Sequence, residues 1–286
     1  MNSLSTIPDL LAARRDWPTP LALVPTMGAL HEGHLTLIDQ ARSQIGPSGS
    51  ILVSIFVNPL QFDRQSDLSS YPRNLENDLT QCQNRGANFV FHPDTTDFYH
   101  PNHSISVNEN SLAKTLCGAT RPGHFDGVCT VISRLFNLVQ PDYAIFGKKD
   151  YQQLQIIKRL NRDLAFNVSI LASDTLREPD GLALSSRNLK LTPNHRADAP
   201  RLRRALLAAR DLKTTGEQNP LAYLETARHH LLQNAHPDFQ IDYLELVSQS
   251  TLQPLATINQ PALLAVAAFY GPVRLIDNIE IQFPLS

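Results

Sequence analysis

A chain of 286 residues with 42% hydrophobic content can bury one large core or two moderate ones, which excludes a disordered or fibrous class. Lysine and arginine total 25 against 27 aspartate and glutamate, so neither nucleic acid nor a membrane surface is expected as a standing partner, and any anion must be held locally. Cys82, Cys117 and Cys129 are widely spaced and form no Cys-x-x-Cys pair, which implies neither a disulfide framework nor a cysteine zinc site and fits a reducing cytoplasm.

Along the chain, residues 1–15 place Asp9 before Leu10 and Leu11 and end on Arg14 and Arg15, the wrong order for a secretory signal. The longest apolar stretch, residues 262–270, is too short to span a bilayer. Strands are predicted at 21–24, 51–57, 88–91, 143–146 and 167–171, with helices between them at 33–44, 74–85, 127–139 and 150–164. This alternation predicts an α/β fold, a doubly wound parallel sheet of Rossmann type. A polar stretch at 177–188, with Pro179 and the pair Asp180-Gly181, reads as a hinge. Beyond it, helices at 195–212 and 220–234 precede strands at 240–247, 263–269 and 273–281, so the expected domains are 1–175 and a smaller α+β domain at 176–286.

The richest motif is Val24-Pro25-Thr26-Met27-Gly28-Ala29-Leu30-His31-Glu32-Gly33-His34, a buried strand passing through a glycine-bearing loop into a helix. His31 and His34, spaced i, i+3, share one face at the positive end of the helix dipole, where backbone amides favour an anion. Plain helix capping is the competing reading, and the position after the first strand of a βαβ unit favours a nucleotide. The spacing is not that of a His-Glu-x-x-His metal helix. After the second strand, Asn58 and Gln61 offer neutral amides that can orient a carboxylate without adding charge, although a polar turn around Pro59 explains the same residues. Gly147-Lys148-Lys149-Asp150 brings lysine to a helix start, as a phosphate site needs, and Ser185, Ser186 and Arg187 put hydroxyls and a guanidinium on the hinge loop.

The motif at 25–34 resembles the signature of the pantothenate synthetase family, part of the wider His-x-Gly-His nucleotidyltransferase group. Val57-Asn58-Pro59-Leu60-Gln61-Phe62, Tyr71-Pro72-Arg73, Arg121-Pro122-Gly123-His124-Phe125, the run 146–154 and the run 180–188 resemble further family blocks in the expected order, and residues 242–245 and 274–278 do so more weakly. The resemblance implies ATP held by Met27, Gly28, Ala29, Leu30, His31, Glu32, Gly33 and His34, together with Gly147, Lys148, Lys149, Asp150, Leu176, Leu184, Ser185, Ser186 and Arg187. It assigns Lys149 to the phosphates, Gln153 with Asn58 and Gln61 to pantoate, and the loop of Arg121 to the neighbourhood of the substrates. Asp78 and Gln81 are implied to lie near magnesium, and a homodimer through the first domain is implied as well.

The expected reaction is attack of the pantoate carboxylate on ATP to give pantoyl adenylate, then capture by β-alanine. His31, His34, Lys149, Ser186 and Arg187 would serve the phosphates, and the second domain would act as a lid that excludes water. The nearest rival, an adenylyltransferase for a phosphorylated substrate, would call for cations where Asn58, Gln61 and Gln153 stand. A catalytically idle nucleotide-binding module would be expected to have lost at least one competent residue.

Overall fold

The computed structural model describes residues 1–282. Six strands, β1 (Asn2–Leu4), β2 (Leu21–Thr26), β3 (Ser50–Ile55), β4 (Phe89–Phe91), β5 (Tyr143–Gly147) and β6 (Ser169–Ser173), pair in parallel in the order β1-β4-β3-β2-β5-β6. β2 and β3 are apolar almost without alternation, as strands buried on both faces must be. The helices are α1 (Ile7–Arg14), α2 (Glu32–Ile45), α3 (Gln65–Ser69), α4 (Leu75–Asn84), α5 (Thr95–Phe98), α6 (Leu116–Thr120), α7 (His124–Val139), α8 (Tyr151–Asp163), α9 (Pro193–Asp198), α10 (Arg201–Asp211) and α11 (Pro220–Leu232). On α2, Leu35, Ile38, Ala41 and Ile45 recur at helical spacing and bury against Ala22, Val24, Ile51, Val53, Val90 and Ile145. The doubly wound fold expected from the sequence is therefore present, with each predicted strand and helix of the sheet region in place to within a few residues. β1 and α1 were not expected, because Asn2-Ser3-Leu4 is too short to show a pattern; it takes its conformation from pairing with β4.

The last three strands, β7 (Phe239–Ser248), β8 (Ala262–Tyr270) and β9 (Val273–Ile281), form an antiparallel sheet. Leu202, Ala205, Leu206 and Ala209 of α10 and Tyr223, Ala227 and Leu231 of α11 share a core with Leu244, Leu264, Val266 and Leu275 of that sheet. The chain forms two compact units: Met1–Asn110 with Arg121–Lys148 and Gln153–Asp174, and Ser111–Thr120 with Lys149–Gln152 and Thr175–Ser286. Gln152 shows why the short segment 149–152 belongs with 111–120, since its side-chain amide donates to the carbonyls of Leu112 (2.8 Å) and Thr115 (2.7 Å). Among the described residues, no helix is long and apolar enough to cross a membrane.

In the first sheet the chain steps outward from β2 to β3 on one side and places β5 on the other, so the strand order reverses between β2 and β5. Ligands of open α/β sheets bind at such a switch point, outside the carboxyl ends of the strands. The loop leaving β2 carries the histidine motif, and β5 ends on Gly147.

Candidate active site

Leaving β2, the backbone turns through Gly28 (φ 78°) and Ala29 (φ 52°), both in the left-handed region. A Cβ on Gly28 would lie 2.9 Å from Asp78 Oδ2 and 3.0 Å from Ile55 Cγ2, so glycine is required for space as well as conformation. Asp78, buried on α4, accepts the N–H of Ala29 with Oδ2 (2.9 Å) and that of Leu30 with Oδ1 (2.8 Å). Burial pushes its carboxyl above the ordinary value, and the two amide hydrogen bonds pull only part of the way back.

The turn delivers His31 to the N-cap of α2, with its Nδ1 accepting the N–H of Gly33 (3.1 Å), while His34 Nδ1 accepts the N–H of His31 (3.4 Å). The two residues form a capping box of imidazoles, with ring centroids 4.0 Å apart. A backbone donor on each Nδ1 leaves the proton of each neutral ring on Nε2, so both side chains are fixed as Nε2–H donors at a helix N-terminus. The capping that the sequence offered as the competing reading is therefore present. Glu32 turns away into an ion pair with Arg85.

Around the turn after β3, Asn58 is 1% exposed and its side chain is fully committed. Its amide donates to Gln61 Oε1 (2.9 Å) and the carbonyl of Gly127 (3.0 Å), and its oxygen accepts from Tyr99 Oη (3.1 Å) and the N–H of Leu60 (3.3 Å). Asn58 therefore braces the turn rather than presenting an amide to substrate, against expectation. In Gln61, Oε1 is taken by Asn58, while Nε2 meets the weak acceptor Met27 Sδ (3.4 Å) and carries a second hydrogen. Gly127 lets α7 approach this turn, because a Cβ there would lie 2.4 Å from the Leu60 backbone. Arg121 is likewise occupied, donating to Asp63 (2.9 Å) and to the carbonyl of Gln61 (3.3 Å). Partial burial opposes ionisation of Asp63, but the hydrogen bond and charge of Arg121 prevail and hold its carboxyl below the ordinary value. Lys148, which the resemblance implies among the residues holding ATP, pairs with exposed Asp174 at 2.9 Å.

In the second unit, the carbonyl of Lys149 accepts from Asn278 Nδ2 (2.9 Å), and its Nζ lies 3.6 Å from Asp150. Residues 176–184 fold back on themselves: Leu184 N–H donates to the carbonyl of Leu176 (3.0 Å), and Arg177 donates twice to Asp277 (2.7 and 2.8 Å). Ser185 caps the following turn, Ser186–Lys190, by accepting the N–H of Arg187 (3.3 Å). The loop read as a hinge is held to β9 by this ion pair. Ser185 serves as its cap, and Ser186 and Arg187 are partly exposed.

The family model for pantoate-beta-alanine ligase matches residues 2–280. The chain belongs to that family. A pantothenate synthetase from Akkermansia muciniphila is 51% identical over 263 residues, covering 91% of this chain and 92% of the relative. A crystal structure of pantothenate synthetase from Thermus thermophilus superposes with a TM-score of 0.92 at 43% identity, covering 99% of this chain and 100% of that one. A pantoate-beta-alanine ligase from Francisella tularensis, whose structure is described as complexed with beta-gamma ATP and beta-alanine, is 31% identical with a TM-score of 0.80 and covers 100% of both chains. As a pantoate-beta-alanine ligase, the chain is an ATP-dependent enzyme that joins pantoate to beta-alanine and forms pantothenate.

For a ligase of this family, the first unit brings Met27–His34 together with Gln61, Asp78 and Gln81, and it leaves Gln153 half-buried on α8. Asp78 and Gln81, which the resemblance implies near magnesium, are each partly committed to the backbone of the histidine loop. Both carboxylate oxygens of Asp78 hold backbone amides, and Gln81 Nε2 points to the carbonyl of Leu30 (3.5 Å). Sequence reasoning missed Tyr99 and Asp63, which position Asn58 and Arg121 from distant parts of the chain; no local pattern signals such partners.

Proposed function

We propose that the ligase works through a pantoyl adenylate. A pantoate carboxylate oxygen attacks the α-phosphorus of ATP, the bond from that phosphorus to the bridging oxygen breaks, and pyrophosphate leaves. The amine of beta-alanine then attacks the acyl carbon, the bond from that carbon to the adenylate oxygen breaks, the nitrogen gives up a proton to solvent, and pantothenate and AMP result. The observation that carries this reading is the imidazole pair on α2, fixed by the backbone as two Nε2–H donors beside the switch point of the sheet. Donors held in place before reaction stabilise charge developing on phosphate oxygens without reorganising.

The reading assigns Lys149, Ser186 and Arg187 to the same phosphates on charge and chemistry together with the family resemblance. It assigns Gln61 and Gln153 to pantoate, and Gly147, Leu176 and Leu184 to the nucleotide through their backbones. ATP binding is supported by the Francisella relative. Magnesium is proposed to arrive on the ATP phosphates, since it usually keeps few protein ligands. Residues 1–175 as the ATP and pantoate domain, residues 176–286 as a lid, a homodimer and a cytoplasmic location belong to the same proposal.

The test is exchange of labelled pyrophosphate into ATP by the purified protein, with magnesium and without beta-alanine. Exchange that requires pantoate is expected; exchange indifferent to pantoate, or none in its presence, would overturn the adenylate reading.

A further inference from the structure

Three donor groups outside the proposed chemistry converge in the second unit. His195 lies in α9, and His236 and Asp238 lie in the connection between α11 and β7. One ligand atom from each lies within 4.8 Å of the other two, and they are the one such group of three or more His, Cys, Asp or Glu among the described residues. His195 Nε2 is 3.1 Å from Asp238 Oδ2, His236 Nδ1 is 3.9 Å from the same oxygen, and the two imidazoles meet edge to face with centroids 4.6 Å apart.

The group is supported from behind. His195 is buried, its N–H is capped by Thr192 (3.2 Å) and its ring packs against Tyr270. The carboxylate of Asp198 accepts the backbone N–H of His236, the hydroxyl of Tyr270 (2.9 Å) and the guanidinium of Arg201 (2.6 Å). Gly271 N–H donates to the carbonyl of Asp238 (3.2 Å). Backbone and ring positions are therefore set by neighbours, while Asp238 opens to solvent with its side chain 57% exposed. An ordinary His–Asp ion pair needs one imidazole; here the N–H of Asp238, donating to His236 Nδ1 (3.1 Å), brings a second ring beside the same solvent-exposed carboxylate, so that three ligand atoms converge.

We propose that His195, His236 and Asp238 bind a divalent transition ion of the zinc class. Two imidazole nitrogens and one carboxylate oxygen suit zinc, cobalt or nickel rather than magnesium or calcium, and three protein ligands leave a position for water. Coordination replaces the contact from His195 Nε2 to Asp238, with the proton of the neutral ring carried on Nδ1, and it replaces the hydrogen bond from the N–H of Asp238 to His236 Nδ1 (3.1 Å). The ion would tie α9 to the entry of β7 and stabilise the folded chain in proportion to its binding.

The probe is cobalt(II), then zinc chloride, titrated into full-length protein that carries no histidine tag and has been dialysed against chelator. One equivalent is expected, with a visible cobalt spectrum that zinc abolishes and a rise in thermal midpoint with zinc. His236→Ala and Asp238→Asn, both at positions exposed enough to fold, are each expected to weaken binding by at least about tenfold and to lose the thermal shift while still forming pantothenate. No cobalt spectrum in the wild type, or equal stoichiometry and affinity in both variants, would overturn the site and leave the ion pair alone.

Discussion

Asp78 in the first unit and Asp277 in the second each anchor a loop on which the proposed chemistry rests, one through neutral amides and the other through a cation. Asp78 grips the N–H groups of Ala29 and Leu30, while Asp277 takes both arms of Arg177 and the N–H of Asn278 (2.8 Å). Both carboxylates are nearly inaccessible to solvent. Without a cation, Asp78 retains a carboxyl raised by burial, a cost borne where the histidine loop must be positioned closely. The second loop instead is held by a paired charge, which favours stability over placement of any one atom. Substitution at the first anchor should therefore be read in kinetics and at the second in unfolding.

The largest effect is expected at the group the first anchor serves. His34→Ala should lower the rate of adenylate formation by about 100- to 1000-fold, the usual worth of a preorganised donor, with only a small fall in thermal midpoint from the lost half of the capping box; pre-steady-state quench experiments would measure the first and calorimetry the second. Next, Asp277→Asn strands the partly buried Arg177 charge and should cost about 3 kcal/mol of stability, read by urea unfolding. Asp78→Asn puts an amide where two N–H donors converge, so kcat/KM for ATP should fall by about tenfold to a hundredfold, the worth of one charge-assisted hydrogen bond, with a smaller change in unfolding. If unfolding changed as much as at Asp277, the contrast between the anchors would fail.

The smallest effect is in pH dependence. Burial opposes ionisation of Asp198, but Arg201 and Tyr270 hold its carboxyl below the ordinary value of 3.8. Its contribution is therefore complete above the unfolded value and is lost as pH falls through the lower folded one. Asp78 has the opposite sign: its raised carboxyl favours folding most below 3.8, and that contribution disappears as pH rises through its folded value. Acid unfolding followed by circular dichroism should show a shallower loss below pH 3.8 in Asp198→Asn than in the wild type; an identical slope would contradict the assignment.

Much of the sheet was legible because buried parallel strands are continuous apolar runs and their helices carry a 3.6-residue repeat, as Leu35, Ile38, Ala41 and Ile45 show. The histidine motif was legible because strand, glycine loop and helix start are consecutive. The purposes of Asn58, Arg121, Asp78 and Ser185 were not, since residue type alone does not distinguish an amide or carboxylate facing substrate from one facing a distant backbone. Asn58 is decided by Tyr99 and Gly127, and Asp78 by Ala29 and Leu30, all far away in sequence. Segments 111–120 and 149–152 were illegible for the same reason, because Gln152 joins them through contacts absent from any local pattern.

The adenylate itself is tested most directly by following oxygen. Pantoate labelled with 18O in its carboxylate should transfer one labelled oxygen to AMP when pantothenate forms, because the oxygen that attacks phosphorus departs with the nucleotide. Label retained wholly in pantothenate and water, or appearing in pyrophosphate or free phosphate, would contradict the account.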